Sequence, residues 1–144
     1  LHQPECEPLS EALEPLVGSF QEPLGCRPRL TVVGSLDTQG VIDEDLRLDL
    51  LAVVREALSN VARHAQAGEV DVVVVVDADS VQVTVEDDGV GMVETGRRSG
   101  LANLSERAAG RGGSMVMLSP VAVLGGTRLV WEARLGASGA RSRS

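Results

Sequence analysis

Aromatic residues are almost missing: 144 residues hold one Phe, one Trp and no Tyr. Any core must therefore be built from Val, Leu and Ala, in a chain whose apolar fraction of 43% is ordinary for a globular protein. Basic residues are outnumbered, 13 against 21, leaving a net charge of −8, so there is no electrostatic footprint for binding nucleic acid. Long hydrophobic runs are absent as well. Val72 to Val76 falls far short of the roughly 20 residues a membrane helix needs, and no stretch reads as a signal peptide. Cysteine is scarce: Cys6 and Cys26 lack the spacing of a zinc site. Free thiols in a reducing cytoplasm are the expected state, with a disulfide as the alternative. The chain opens on Leu1-His2 rather than Met, which suggests a piece of a longer protein. Its length suits one domain with a real core.

What is present is a set of periodic segments. Leu9, Leu13, Leu16, Val17 and Phe20 follow a helical period over about residues 8–22, with Pro15 inside to kink or divide it. Arg29 to Gly34 reads as a short strand and Ser35 to Gly40 as a polar loop. Asp43 is placed to cap a long helix that runs to about Ala67 and stops at Gly68. Val70 to Val76 is nearly all Val and suits a central strand. After a turn at Asp77 to Ser80, Val81 to Asp87 alternates cleanly, which places Asp87 on the same face as Val81, Val83 and Val85. A carboxylate closing an apolar row needs a hydrogen-bond partner. A further helix over about 100–109 and two closing strands, Met115 to Leu118 and Thr127 to Leu135, follow; the tail from Gly136 is small, polar and basic. The expected fold is an α/β two-layer sandwich, a mixed sheet of about five strands covered on one face by about three helices. Strands adjacent in sequence are expected to pair antiparallel.

The long helix carries a polar seam. At about 100° per residue, Glu56, Asn60, Arg63 and His64 fall in one strip, surrounded by Leu50, Val53, Val54, Ala57, Leu58 and Val61. A carboxylate and a carboxamide one turn apart, flanked by two basic groups, suit a metal ion and an anion together; a solvated helix face is the plain alternative. Downstream lie Asp87, Gly89, Gly91 and Gly100. Glycines permit close backbone approach to a ligand, and a helix beginning near Gly100 can offer unpaired N–H groups to phosphate. Asp71, Asp77 and Asp79 read as solvated turn and strand-end residues rather than metal ligands.

These segments together resemble the ATP-binding catalytic domain of sensor histidine kinases, in the superfamily that includes gyrase, Hsp90 and MutL. Glu56-Ala57-Leu58-Ser59-Asn60-Val61-Ala62-Arg63-His64-Ala65 is similar to the N box, particularly in kinases paired with NarL-type regulators, and the chain as a whole most resembles the actinobacterial oxygen- and redox-sensing kinases. Asp87-Asp88-Gly89-Val90-Gly91 matches the Asp-x-Gly-x-Gly box, Gly100 to Ala108 resembles the second glycine box, and Gly125-Gly126-Thr127 the last. The resemblance covers roughly residues 40 to 135. It implies a Bergerat-type fold, with an N-terminal helix and linker over 1–27, the catalytic domain over 28–135 and a disordered tail over 136–144.

The resemblance also implies roles. Asp87 would accept the adenine amino group, Asn60 would bind Mg²⁺, and Glu56 would polarise the nucleophile or a metal-bound water unless it is simply solvated. Arg63 would steady phosphates and His64 contact ribose or adenine, unless both face solvent. Gly89, Gly91, Gly100, Leu101 and Thr127 would line the nucleotide, with Thr127 equally suited to a structural place in its strand. Arg107 fits a structural ion pair better than a phosphate contact. The implied cofactors are ATP, as substrate, and Mg²⁺. The implied partners are a dimerisation domain carrying the phosphoacceptor histidine and a NarL-type response regulator, with no nucleic acid or membrane contact and a cytoplasmic location. Neither His2 nor His64 fits as the acceptor. Few residues separate Gly91 from Gly100, so any ATP lid is short, and the second glycine box keeps only Gly100. An anti-sigma-factor-type serine kinase and a non-catalytic nucleotide-binding module are the rival readings.

Overall fold

The structure is a computed structural model that describes residues 9–34, 42–64, 68–89, 98–118 and 126–135. Readings that fall on other positions lie outside the described residues: Cys6, the loop after Gly34, the helix end at Ala65 to Ala67, Gly91, the lid, Gly125 and the tail.

Chain order is α1 (Leu9–Gly18), α2 (Gln21–Leu24), β1 (Arg29–Val33), α3 (Glu44–His64), β2 (Val70–Val76), β3 (Ser80–Asp87), α4 (Arg98–Gly110), β4 (Ser114–Leu118) and β5 (Thr127–Arg134). The periodic segment at 8–22 becomes two helices. The first runs unbroken through Pro15 and the division falls at Ser19-Phe20, four residues beyond it. Gly25, at φ +78°, closes α2 and donates its N–H back to Gln21 and Glu22 carbonyls, a conformation other residues rarely adopt.

Helix α3 starts where the sequence places its cap: the Asp43 carboxylate accepts the Leu46 N–H at 2.8 Å. Glu44 and Asp45 add favourable charge in the first turn. Three β-branched residues on its core face, Val53, Val54 and Val61, are poor helix formers in isolation, so burial against the sheet holds this helix more than propensity does.

The five strands form one mixed sheet in the order β1-β2-β3-β5-β4. Sequence-adjacent strands do not all pair antiparallel, contrary to expectation. β1 and β2 run parallel because α3 crosses over between them, and β5 inserts between β3 and β4. The period of two then sorts side chains. Val72, Val74, Val81, Val83, Val85, Leu129, Trp131 and Ala133 face the helices and are buried. On the opposite face Arg29, Asp71, Glu86 and Arg128 line up across four strands. Arg29 grips Asp71 bidentately at 2.7 and 3.0 Å, and Arg128 meets Glu86 at 3.2 Å. Asp71, read as solvated, is thus an ion-pair residue, though an exposed one worth little to stability.

Helices and sheet share a single aliphatic core. Leu9, Leu13 and Val17 of α1 join Leu46, Leu50, Val53, Val54, Leu58 and the sheet valines, and Leu104 and Ala108 bring in α4. Trp131, the largest fully buried side chain, satisfies its indole N–H on the Leu104 carbonyl at 2.9 Å. Gly113 is required by close approach: a Cβ there would lie 1.9 Å from the Glu132 carbonyl oxygen.

Candidate functional site

Four element ends meet at one end of the sheet. Asp87 ends β3 and pairs in register with Thr127, which begins β5. Residues Gly68 and Glu69, just after α3, are held to Asp88, so the last turns of α3 lie at the same end. Helix α4 runs beside β5 in the same direction. Leu104 meets Trp131, and the Arg111 carbonyl accepts the Arg134 N–H at 3.0 Å, so the first turn of α4 points back toward Thr127.

Asp87 is 5% exposed, as the alternation of β3 predicts. Its Oδ1 accepts the Gly89 N–H at 2.8 Å, and the Gly89 carbonyl in turn accepts the Gly126 N–H at 2.8 Å. Burial pushes the Asp87 carboxyl above its ordinary value. The Gly89 N–H pulls the other way, and the neighbouring carboxylates of Asp88 and Glu86 add to the rise. A buried carboxylate held by one backbone N–H keeps acceptor capacity for a ligand donor.

Asn60, in the polar strip of α3, is 3% exposed. Its Oδ1 accepts a long hydrogen bond from Arg63 Nη2 at 3.4 Å, and its buried Nδ2 has no partner among the described residues. A buried amide left unsatisfied costs about 1–3 kcal/mol, which a purely structural residue would not be expected to carry. Glu56, one turn earlier on the same strip, is half-buried, and Arg63 is exposed. His64 is the last helical residue, with its side chain outside the description. Gly100 and Leu101 stand third and fourth in α4, within the first turn where N–H groups lack intrahelical partners. Thr127 is 8% exposed. The structure thus brings Glu56, Asn60, Arg63, Asp87, Gly89, Thr127 and the start of α4 to one end, while Gly91 lies outside the described residues.

This donor set suits a nucleotide with a hard cation. Asp87 and Gly89 offer a buried acceptor and donor, Arg63 a guanidinium, and α4 its first turn. A cation here would draw on the Asn60 carboxamide oxygen. Among the described residues no cluster of three or more His, Cys, Asp or Glu could hold a metal by side chains alone. A single carboxamide oxygen is compatible with Mg²⁺, which keeps waters and substrate phosphates in its shell.

Two further groups escape motif reading. Asp88 is exposed, and its Oδ1 accepts the Gly68 and Glu69 N–H groups at 2.8 and 2.9 Å. These hydrogen bonds, Glu69 first, hold its carboxyl below the ordinary carboxylate value. Asp49 takes both Arg107 and Arg111, the latter at 2.6 Å, joining α3 to α4. Arg107 is therefore in the structural ion pair expected for it. Asp49 shares the helical strip of Glu56 and Asn60, and Arg107 and Arg111 stand one turn apart, so the pairing has a sequence signal in retrospect.

Comparison with known proteins assigns this fold to a family. The chain belongs to the histidine kinase-, DNA gyrase B-, and HSP90-like ATPase family, whose model matches residues 45–139. Within that family it is similar to sensor histidine kinases. LnrJ of Bacillus subtilis (strain 168) is 33% identical over 112 residues, covering 77% of this chain and 27% of LnrJ. The nitrate/nitrite sensor protein NarX of Escherichia coli (strain K12) is 42% identical over 64 residues, 42% of this chain and 11% of NarX. The chain therefore spans about a quarter or less of these relatives. The histidine kinase AdeS of Acinetobacter baumannii shares the fold, with a TM-score of 0.65 at 15% identity over 89% of this chain and 65% of that one. The histidine kinase domain of the Erythrobacter litoralis EL346 blue-light activated kinase does so at a TM-score of 0.60 and 20% identity, over 90% and 66%.

Proposed function

We propose that this chain is the ATP-binding catalytic domain of a two-component sensor histidine kinase. Residues 28–135 form that domain, 1–27 lead from a preceding dimerisation region, and 136–144 are a tail; the domain works in the cytoplasm. It binds ATP with Mg²⁺ and donates the γ-phosphoryl group to a histidine on a dimerisation domain outside this chain, for relay to a response regulator of NarL type. The observation that carries the reading is the pair of buried polar groups at one end of the fold, Asp87 with acceptor capacity to spare and Asn60, whose Nδ2 donor has no partner among the described residues and whose Oδ1 is held only by a long hydrogen bond from Arg63.

In this reading Asp87 selects adenine by accepting its amino N–H, where guanine presents a carbonyl. Gly89 and Thr127 bound the base, His64 contacts ribose or base, and Arg63 turns to the phosphates. Asn60 holds Mg²⁺, which when bound neutralises charge on the phosphates. Gly91, Gly100 and Leu101 bring backbone close to the phosphate chain. Glu56 orients the attacking imidazole and accepts the proton carried by its other ring nitrogen as the phosphorus–nitrogen bond forms. The bond from the γ-phosphorus to the β–γ bridging oxygen breaks and ADP leaves. Positioning and charge stabilisation supply most of the catalysis.

Calorimetry on the chain with ATP and GTP, each with and without Mg²⁺, tests binding. ATP should bind with Mg²⁺ dependence and GTP at least ~10-fold more weakly, the worth of about one hydrogen bond at a charged group. Equal affinity for the two would remove Asp87 from the site. Transfer is checked by adding a dimerisation domain and labelled ATP: acid-labile, base-stable label is the expected product, and acid-stable label would point to a serine kinase.

A further inference from the structure

The start of α4 can serve phosphates only if the helix is held at the right height along α3, and one carboxylate outside the site sets that height. Asp49, in the second turn of α3, receives guanidinium groups from Arg107, in the last turn of α4, and from Arg111, the residue just past its end. Asp49 is 18% exposed and Arg111 13%, so the arm to Arg111 is largely shielded from solvent screening. Arg134 N–H to Arg111 carbonyl and Trp131 indole to Leu104 carbonyl fasten the same helix to β5. The C-terminal half of α4 is thus tied on two sides.

The two helices run antiparallel, and their spacings agree. From Asp49 to Asn60 is 11 residues of α3; from the midpoint of Arg107 and Arg111 back to Arg98 is 11 residues of α4. Both correspond to about 16 Å of helix. Pinning the far end at Asp49 therefore brings the first turn of α4 level with Asn60, the residue whose buried Nδ2 lacks a partner among the described residues.

We infer that Asp49 is a positioning residue for the phosphate side of the site, acting through Arg107 and Arg111 to set the register of α4 against α3. It touches no nucleotide itself. The inference rests on the ATP-site reading and adds that the phosphate half depends on an ion pair three helical turns from Asn60, while the adenine half, anchored on β3, does not. In Asp49→Asn the charge goes and the side chain keeps its shape, so α4 loses its axial anchor and nothing at Asp87 changes.

The test is calorimetry of ATP·Mg²⁺ and AMP on wild type, Asp49→Asn, Asp49→Glu and Arg107→Gln. Arg107 is the more exposed arm, so its variant keeps the fold even if the Asp49→Asn protein does not. Asp49→Asn should weaken ATP about 5–10-fold and AMP less than about 2-fold, Arg107→Gln should shift the same ratio less, and Asp49→Glu should restore most of it. An ATP-to-AMP affinity ratio unchanged in every variant, or equal loss of both ligands, overturns the inference while leaving the site reading in place. Wild-type protein that binds neither ligand overturns both.

Discussion

Asp87 and Asp88 leave the end of β3 on opposite faces and show two uses of the same side chain. Asp87 turns into the core, receives one N–H from Gly89, and is pushed toward its neutral form by burial. Asp88 turns to solvent, receives two N–H groups from Gly68 and Glu69, and is held ionised. The buried residue is a cost to the fold, which the proposed adenine contact would account for; the exposed one is a clasp that ties the start of β2 to the end of β3. Under the proposed function, adjacent residues thus divide recognition and stability between them.

That division is broken first at Asp87. Asp87→Asn keeps an oxygen for the Gly89 N–H but can present a donor where the adenine amino group needs an acceptor. ATP affinity is expected to fall by more than ~100-fold, about 3 kcal/mol, by titration calorimetry. Thermal melting of the same variant should show no loss of stability. The sign follows from linkage: a carboxyl raised in the folded state binds more protons folded than unfolded, so its ionisation destabilises the protein as pH climbs from about 3.8 through the raised value. The variant escapes that cost. Its stability relative to wild type should therefore be higher at neutral pH than at pH 3, and a lower melting temperature at neutral pH would show Asp87 to be structural.

The next largest effect is at Asn60, which belongs with Asp87 among the buried, underused groups. Asn60→Ala should abolish the Mg²⁺ dependence of ATP binding, roughly a 10-fold effect for one lost oxygen ligand. A dependence retained in full would assign the metal to another residue.

Asp88→Ala sharpens the other side. Losing a double acceptor for backbone N–H groups should cost about 1 kcal/mol, as for a lost helix cap, with exposure keeping it from being more. Denaturant titration measures it, and ATP affinity should move less than the effect at Asp87. The smallest effect is on acid response. Asp88 has a depressed carboxyl, so its stabilisation is present above the ordinary value of 3.8 and fades as pH falls through its lowered one. Asp88→Ala should therefore flatten the acid side of the stability curve, and an unchanged slope would deny the clasp.

The contrast also marks the reach of sequence reading. Alternation along Val81 to Asp87 is local, so it places Asp87 inward and demands a partner for it. The helical strip from Glu56 to His64 is equally local. Asp88 carries the same side chain one residue later, yet its partners come from the α3–β2 connection, which no periodicity relates to β3. Asp49 pairs with residues 58 and 62 positions away, a distance set by packing of two helices. The parallel pairing of β1 and β2 escapes for a related reason: strand direction depends on how α3 crosses the sheet, and the strand patterns alone do not encode it.

The single tryptophan gives this arrangement an optical consequence. Trp131 is fully buried on β5 with its indole N–H on the Leu104 carbonyl of α4. A lone indole in an apolar, solvent-free setting emits at short wavelength, and release of its N–H and entry of water would move that emission to the red. With no Tyr and one Phe in the chain, nothing else competes for the signal. Intrinsic fluorescence therefore reports on this one site in the core, where β5 meets α4, and it can follow loss of that contact in real time without a label.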